Sequence, residues 1–202
     1  MVDVYSNFLY NSTILSTGVQ MSDPCYQVIA DLEKHSSRIN KEAIVLAQAQ
    51  AGNDEFFQGV RLALDPMITF GLKQIPEKKD ADGAGLSWEA FTLIITGFVS
   101  RSVTGNTARD MVTDMMNTAT RAEWNGWYRR ILIKDLRCGV TETTINKIAA
   151  RHNGDYRVPV FSCQLAHDSA NHESKVSGRK IIEVKLDGVR VLTVVYPDGR
   201  VN

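Results

Sequence analysis

Ser87-Trp88-Glu89-Ala90-Phe91-Thr92-Leu93-Ile94-Ile95-Thr96-Gly97-Phe98-Val99 is the stretch that indicates the fold most clearly. Ser87 is a favoured N-cap residue, and Glu89 places a negative charge in the first turn, where it interacts favourably with the helix dipole. Apolar side chains fill most of the remaining positions, so we predict a helix that lies in the core. They are Phe91, Leu93, Ile94, Ile95, Phe98 and Val99.

Helical spacing extends on both sides of this stretch, from Pro24 to about His152. In the first segment, Val28, Ile29 and Leu32 recur along one helix face. Further helices are predicted at Lys41–Ala51 after an Asn40 cap, Asp54–Leu64, Thr107–Thr118 after an Asn106 cap, Ala122–Leu136 and Thr141–Arg151. Residues 74–87 break the periodicity and are predicted to form a polar loop. The sequence thus predicts an all-helical domain over residues 24–155.

The character of the chain changes after this domain. Lys180–Val184 and Val189–Val195 are rich in β-branched residues, and Tyr196–Gly199 has the composition of a turn. We therefore predict a mainly α chain in which residues 156–202 begin an α+β domain with its first β-hairpin. Residues 1–23 are predicted to be an N-terminal extension, because Met21 resembles a start site and Asp23-Pro24 is a helix-entry pair. The sequence leaves open whether that extension is native.

Overall charge argues against non-specific nucleic-acid binding by bulk attraction, because the 202 residues carry 23 Lys and Arg against 23 Asp and Glu. Residues 121–138 are locally basic, with five cations (Arg121, Arg129, Arg130, Lys134, Arg137) against Glu123 and Asp135. This excess fits either a phosphate-binding face or an ordinary solvated face. Trp124 and Trp127 within it are predicted to be core residues.

The sequence also bears on compartment and metal content. No apolar run reaches the length of a membrane span, and residues 1–20 lack the basic region of a signal peptide. A cytoplasmic protein is therefore expected. Cys163, His167 and His172 lack a fourth zinc ligand and a CxxC pair, so no protein-held metal site is predicted.

The chemistry is indicated by Glu183-Val184-Lys185-Leu186-Asp187-Gly188-Val189-Arg190, which contains K-x-D-G-x-R. A lysine amine can attack the α-phosphorus of a nucleoside triphosphate and form a phosphoramidate. Glu183 and Lys185 stand two apart, so on a strand both point to one face, where Glu183 can contact the base. Arg190 offers a planar fork for ribose or phosphate oxygens. The alternative is an exposed hairpin with an Asp187-Gly188 turn.

K-x-D-G-x-R after a short strand is similar to the nucleotidyltransferase motif of ATP-dependent DNA ligases, RNA ligases and messenger-RNA capping enzymes. Leu136-Arg137-Cys138-Gly139 resembles the L-R-x-G signature in the helical DNA-binding domain of DNA ligases. Arg101–Asn106 and Ile145–Lys147 resemble stretches in the ligases of T-even-type bacteriophages, and Gln164–Ala166 resembles the family's P-M-L-A segment. The motif order resembles the ATP-dependent DNA ligases over residues 24–202.

The resemblance implies a role for each matching residue. Lys185 is expected to be the adenylated nucleophile, and the cofactor-binding residues are expected to be Glu183, Asp187 and Arg190. DNA-backbone contacts near the minor groove are expected at Lys134, Arg137, Gly139 and Thr141. ATP and Mg²⁺ are the implied cofactors, and nicked duplex DNA is the implied partner of a monomeric enzyme. The implied processes are DNA repair, replication and recombination, in the host cytoplasm if the chain is viral.

The chain ends 17 residues after Lys185. The family's later motifs supply metal and triphosphate ligands, so we expect an N-terminal fragment that carries the nucleophile and is inactive alone. Two alternatives to a DNA ligase remain. One is a non-catalytic module that binds duplex DNA, and the other is an RNA ligase or capping-type nucleotidyltransferase. The helical domain with its Leu136–Gly139 signature disfavours the second alternative.

Overall fold

The computed structural model describes residues 23–160, together with residues 178–179, 181, 193, 195 and 197–199. The chain divides into two compact units, Met1–Phe161 and Ser162–Asn202. The second unit contains the predicted hairpin, whose strands lie almost entirely outside the described residues. The fold is therefore described for the first unit alone.

The first unit is mainly helical, as predicted. Its helices are α1 (Cys25–Lys34), α2 (Arg38–Gln50), α3 (Asp54–Leu64), α4 (Trp88–Val99), α5 (Gly105–Thr118), α6 (Arg121–Glu123), α7 (Arg129–Leu132) and α8 (Glu142–Ala149). A π-helical segment, Trp124–Tyr128, joins α6 to α7, and a 3-10 turn at Gly154–Tyr156 follows α8. Residues 40–150 contain no strand.

Two helices begin where the sequence predicts. α3 spans Asp54–Leu64, and the Asn53 side chain caps it by accepting a hydrogen bond from the Phe56 N–H. α4 follows Ser87, whose hydroxyl accepts a hydrogen bond from the Ala90 N–H at 3.2 Å. Both caps satisfy backbone donors that would otherwise lack a partner in the first turn.

Two other predicted caps are wrong. α2 begins at Arg38, so Asn40 lies inside its first turn, where the Arg38–Glu42 pair supports the longer helix. α5 begins at Gly105, and the Asn106 side chain accepts a hydrogen bond from Arg109 instead of capping the helix. In each case a charged side chain one turn further along, Glu42 or Arg109, interacts with a first-turn residue and stabilises a helix that begins earlier than predicted.

An aromatic core holds the helices together. Trp124 and Trp127 are buried, as predicted, and the Trp127 ring stacks on Phe56 with centroids 6.0 Å apart. Phe91 and Phe98 from α4 are also fully buried. Leu93 is an exception to the predicted core face, because it is exposed.

The long connection between α3 and α4 is fixed to the rest of the unit rather than loose. Lys78 is buried, and its amine donates to the carbonyls of Met116 and Asn117 at the end of α5. Asn125 exchanges two hydrogen bonds with the Lys78 backbone, at 3.0 and 2.9 Å. These contacts explain how a polar stretch can carry the buried side chains Ile75 and Leu86.

Candidate nucleic-acid interface

The loop between α7 and α8, residues 133–141, contains all four predicted DNA-binding residues. The predicted helix Ala122–Leu136 ends earlier, at Leu132, because Lys134 adopts a φ of 60°. Arg137 and Gly139 also have positive φ values, 54° and 66°. Left-handed conformations cost a non-glycine residue roughly 1–2 kcal/mol, so this loop must be held by its surroundings.

Three cationic side chains hold the loop. The Lys134 amine donates to the carbonyls of Leu62 at 2.8 Å and Asp65 at 2.6 Å, at the end of α3. Arg130 donates to the Leu136 carbonyl at 2.8 Å. Lys41, on α2, donates to the Cys138 carbonyl at 2.7 Å. Because charged donors form the stronger hydrogen bonds, these contacts can stabilise strained backbone.

The Lys41 contact also determines the direction of the next N–H group. In a planar trans peptide the C=O and N–H bonds point in opposite directions, so the Gly139 N–H points away from Lys41. Gly139 is exposed, and its N–H has no hydrogen-bond partner among residues 23–160. A Cβ at Gly139 would lie 2.5 Å from the Lys41 Nζ, so a side chain there would displace the lysine. Glycine therefore leaves a donor without a described partner close to a held cation.

Lys134 has a different environment from the one predicted for a DNA contact. Its amine is committed to two internal carbonyls, and burial lowers its pKa to about 8, against an opposing effect of Asp65. These contacts give Lys134 a structural role in joining the loop to α3. The candidate interface accordingly consists of Arg137, Gly139 and Thr141.

Arg137 and Thr141 lie at the two sides of Gly139. The Arg137 side chain is 52% exposed, and its Nε lies 3.8 Å from an Asp135 carboxylate oxygen. An exposed pair at that distance holds the guanidinium weakly, so it can reach a phosphate. Thr141 is exposed at the N-cap position of α8, and its side chain makes no capping hydrogen bond. The structure thus brings these three predicted residues together on one loop.

The predicted basic face of residues 121–138 is mostly engaged in internal contacts. Arg121 donates to the backbone carbonyls of Lys79 and Asp80. Arg129 donates to the Ile75 carbonyl, and Arg130 pairs with Glu33 at 2.7 Å. Of the five cations in this stretch, Arg137 is the one whose described contacts leave it available to a phosphate.

Helix α2 also contributes to this site, and the sequence alone does not reveal it. An open groove of about 340 Å³ lies beside the loop, and Arg38 and Lys41 from α2 line it together with Gly139 and Thr141. Lys41 and Cys138 are separated by 97 positions in the chain. No local pattern could have linked them, since only the packing of α2 against α8 places them side by side.

The predicted nucleotide-binding residues Glu183, Lys185, Asp187 and Arg190 lie outside the described residues. Their assignment therefore rests on the sequence motif. Within the described part of the chain, no group of three or more His, Cys, Asp or Glu side chains is arranged to hold a metal ion. None of the described helices has the length and apolar character needed to cross a membrane.

Two solved structures, named Pmar-Lig_Pre and Pmar-Lig_PreS3, are similar to this chain. Their identities to it are 49% and 50%, and both superpose with a TM-score of 0.73 over 89% of its residues. The chain spans 41% of the length of each of them. No protein-family model and no curated protein match the chain. The fold is thus shared with proteins whose names contain the abbreviation Lig.

Proposed function

We propose that this chain is the DNA-binding and nucleophile-bearing part of an ATP-dependent DNA ligase that seals nicks in duplex DNA. The observation that carries the proposal is the likeness to the two structures whose names contain Lig, at about half identity over most of this chain. The abbreviation alone names no substrate. The K-x-D-G-x-R motif and the helical domain together favour DNA and ATP, and the resemblance of Arg101–Asn106 favours the T-even phage type.

The geometry of the loop supports binding to a DNA backbone. Arg137 offers an exposed guanidinium, and the exposed Gly139 offers an N–H without a partner among residues 23–160. Guanidinium and backbone N–H groups are the usual ligands of phosphate oxygens, and they carry no base specificity. A held, strained loop loses little conformational freedom on binding. This arrangement fits an enzyme that acts on nicks of any sequence.

The proposed reaction has three steps. The Lys185 amine attacks the α-phosphorus of ATP, so that a phosphoramidate bond forms and pyrophosphate leaves. The AMP group then moves to the 5′-phosphate at the nick, and the 3′-hydroxyl displaces AMP to form the phosphodiester. Mg²⁺ offsets phosphate charge when bound. Arg190 is proposed to contact the ribose and later the 5′-phosphate, and Glu183 the adenine amino group.

Nick sealing tests this proposal directly. Residues 1–202 would be fused to the remaining part of Pmar-Lig_Pre, from the position where the two chains stop superposing. We expect the fusion to convert a nicked, fluorescently labelled duplex to a continuous strand with ATP and Mg²⁺. Sealing of nicked RNA but not DNA would favour the RNA-ligase alternative. A folded fusion that binds DNA but never seals it would favour the non-catalytic module.

DNA binding by the chain itself is tested with Arg137→Ala. If Arg137 contacts a phosphate, the variant should bind nicked duplex DNA more weakly and its affinity should depend less steeply on salt, by a slope of about 1. Arg109→Ala is the matched control, because Arg109 is also exposed but lies on α5. Equal effects of both substitutions would mean that the chain binds DNA through overall charge.

A further inference from the structure

Another open pocket, of about 360 Å³, lies where three helices begin. Its walls come from the residues at the start of α1, α3 and α4, from Glu123 and from the π-helical segment Trp124–Tyr128. None of its lining residues belongs to the loop 133–141 or to the groove beside that loop. Because π-helical turns are rare and occur frequently at functional sites, this pocket is a candidate for a role apart from the DNA-binding loop.

The charged side chains that line this pocket are all negative. They are the carboxylates of Asp23, Asp54, Glu55 and Glu123. None of the four forms an ion pair with a cation in the part of the chain that the structure describes. Asp54 and Glu55 stand in the first turn of α3, where the helix dipole favours negative charge. The cluster attracts cations and repels phosphate, but by itself it identifies no ligand.

The Trp127 indole supplies an independent indication. Trp127 is 2% exposed and lines the pocket, and its Nε1–H is a buried donor without a hydrogen-bond partner among the described residues. The indole N–H groups of Trp88 and Trp124 donate to the Gln58 side chain at 3.1 Å and to the Pro76 carbonyl at 2.9 Å. Buried indole donors are nearly always paired, because an unpaired one loses its contacts with water without compensation. The Trp127 N–H is therefore placed to donate to a ligand.

Packing holds the Trp127 ring in this orientation. The ring stacks on Phe56 with centroids 6.0 Å apart and contacts Trp88 with centroids 6.2 Å apart. Gly59 faces its edge so closely that a Cβ there would lie 2.2 Å from the Trp127 Cζ2 atom. The indole cannot rotate toward another protein acceptor without disrupting these contacts, so an acceptor has to approach it.

Glu55 is the carboxylate that the Trp127 N–H faces. Burial raises the pKa of Glu55 above its ordinary value of 4.5, and the carboxylates of Glu89 and Glu123 raise the pKa further. The Cys25 thiol and the Trp127 N–H act in the opposite direction without cancelling the increase. The described residues thus compensate the charge of Glu55 incompletely. A suitable ligand combines a cation for this carboxylate with an acceptor for the indole.

We propose that this pocket binds a basic peptide segment of a partner protein. An arginine or lysine cation of the segment pairs with Glu55, and a neighbouring backbone carbonyl accepts from the Trp127 N–H. A basic residue in a peptide carries both groups, whereas a protonated polyamine has donors only. The volume falls within the roughly 300–1,000 Å³ typical of ligand pockets. The inference is independent of the proposed function, because it concerns other residues and a ligand of opposite charge.

Binding would be measured on the full 202-residue chain with an acetylated and amidated Gly-Gly-Arg-Gly-Gly peptide. The same peptide with citrulline in place of arginine is the matched ligand, because citrulline keeps the shape and the backbone carbonyls but has no charge. The 3 tryptophans give separate indole signals in a nitrogen–proton NMR spectrum, and Trp127→Phe assigns one of them. Titration with either peptide then reports the affinity and the indole that is contacted.

The Trp127 indole proton should move downfield on addition of the arginine peptide, because it gains an acceptor. The Trp124 signal should stay in place, since that N–H already donates to the Pro76 carbonyl. The citrulline peptide should bind about tenfold more weakly, because a hydrogen bond between charged groups is lost. Glu55→Gln should weaken binding of the arginine peptide about tenfold for the same reason.

Asp110→Asn is the control variant, because it removes an exposed carboxylate on α5. It should bind the arginine peptide like the unmodified chain. Urea unfolding would check that Glu55→Gln is folded. Its midpoint should equal or exceed that of the unmodified chain, because burial and the neighbouring carboxylates disfavour the charge of Glu55 in the folded state.

Three outcomes would overturn the inference. Equal binding of the arginine and citrulline peptides, or a Trp127 indole signal that neither peptide moves, would mean that the pocket does not recognise a basic segment. Equal losses in Asp110→Asn and Glu55→Gln would show attraction by overall charge. A dimer in sedimentation velocity that Glu55→Gln converts to a monomer would make a second copy of this chain the occupant instead of a partner protein. Sealing and DNA binding test the proposed function separately from all three.

Discussion

Lys134 anchors the loop after α7 through a partly buried amine. Its two hydrogen bonds to the carbonyls of Leu62 and Asp65 satisfy the end of α3, where backbone acceptors lack helical partners. Two unfavourable features accompany these bonds. The Lys134 backbone lies in the left-handed region, and its amine is partly removed from water. A lysine that contacts DNA is instead expected to have its amine exposed to solvent.

Replacement of Lys134 by Met should destabilise the chain by about 1–3 kcal/mol, because the Leu62 carbonyl loses its described donor and the Asp65 carbonyl keeps only the Ile68 N–H. The pH dependence that Lys134 gives to the free energy of unfolding should disappear as well. The folded pKa is about 8 and the ordinary value is 10.5, so between them the unfolded chain binds a proton that the folded chain does not. The free energy of unfolding should therefore rise with pH in this window for the unmodified chain, and rise less for Lys134→Met.

Urea unfolding at pH 8, 9 and 10 would measure both effects. The salt dependence of DNA binding by Lys134→Met, measured where the variant is folded, is expected to match that of the unmodified chain. A reduced salt slope would mean that Lys134 does contact phosphate, contrary to the structural role described above.

Two features of position 139 favour glycine. Its backbone has a φ of 66°, and a Cβ there would lie 2.5 Å from the Lys41 Nζ. Gly139→Ala should cost roughly 1–2 kcal/mol for its left-handed backbone, and about 1 kcal/mol more for displacement of Lys41 from the Cys138 carbonyl. Gly105 is a matched control, because its φ is 64° but a Cβ there would meet nothing within 4 Å. The free energy of unfolding of both alanine variants would be measured in urea. The difference between their losses gives the contribution of the Lys41 contact. Equal destabilisation would show that Lys41 moves aside without cost.

Among the elements, the helices were predictable and the conformation of the candidate DNA-binding loop was not. α3 and α4 follow from local apolar spacing and from Asn53 and Ser87, which cap through contacts three residues away. The loop depends on donors from Lys41 and Arg130, and Lys41 is distant in sequence. Left-handed φ values at Lys134 and Arg137 contradict local propensity, so only the tertiary contacts specify them. The motif therefore indicates candidate residues but not how they are held.

The same limit applies to the candidate site. Arg137, Gly139 and Thr141 could be proposed from the sequence because they lie within five consecutive positions that include a recognisable motif. Arg38 and Lys41 could not, since each looks like an ordinary helix residue until α2 packs against α8. Charge counting along residues 121–138 was a poor guide, because it cannot distinguish a free arginine from one that donates to a distant carbonyl.

The α2–α8 pairing should depend on pH through Glu42. Its hydrogen bond with Lys147, together with Arg38, lowers the pKa of this carboxyl below its ordinary value of 4.5. The stabilisation is present above that value and is lost as the pH falls through the lower folded pKa. Glu42→Gln should flatten the acid side of the stability profile, measured by urea unfolding between pH 3 and 6. A profile parallel to that of the unmodified chain would mean that the pair contributes nothing to stability.

At the scale of the whole molecule, the proposed enzyme divides its work between two units. The helical unit would hold the duplex by its backbone, and the second unit would carry the nucleophile. The chain spans 41% of each similar structure, so catalysis should be tested with the fusion to the remainder of Pmar-Lig_Pre. Separate assays for DNA binding and for adenylation can then assign each unit its own activity.

With labelled ATP and Mg²⁺, the fusion should acquire a covalent AMP group on Lys185, detected by gel autoradiography and located by mass spectrometry. Lys185→Ala should abolish the label, because it removes the amine. Lys185→Arg should abolish it too, since a guanidinium stays protonated and is not a nucleophile. Glu183→Ala should reduce labelling and weaken the preference for ATP over GTP, if Glu183 accepts a hydrogen bond from the adenine amino group.

Arg137→Ala supplies the control for this experiment, because it should lower DNA affinity while leaving adenylation intact. The 202-residue chain alone should show little or no adduct, since the metal and triphosphate ligands of the resembling family follow the nucleophile motif. Robust labelling of this chain would mean that residues 1–202 already suffice for the first step. A label that persists in Lys185→Ala would remove the nucleophile assignment, whereas DNA binding by the helical unit would be unaffected because it uses a different set of residues.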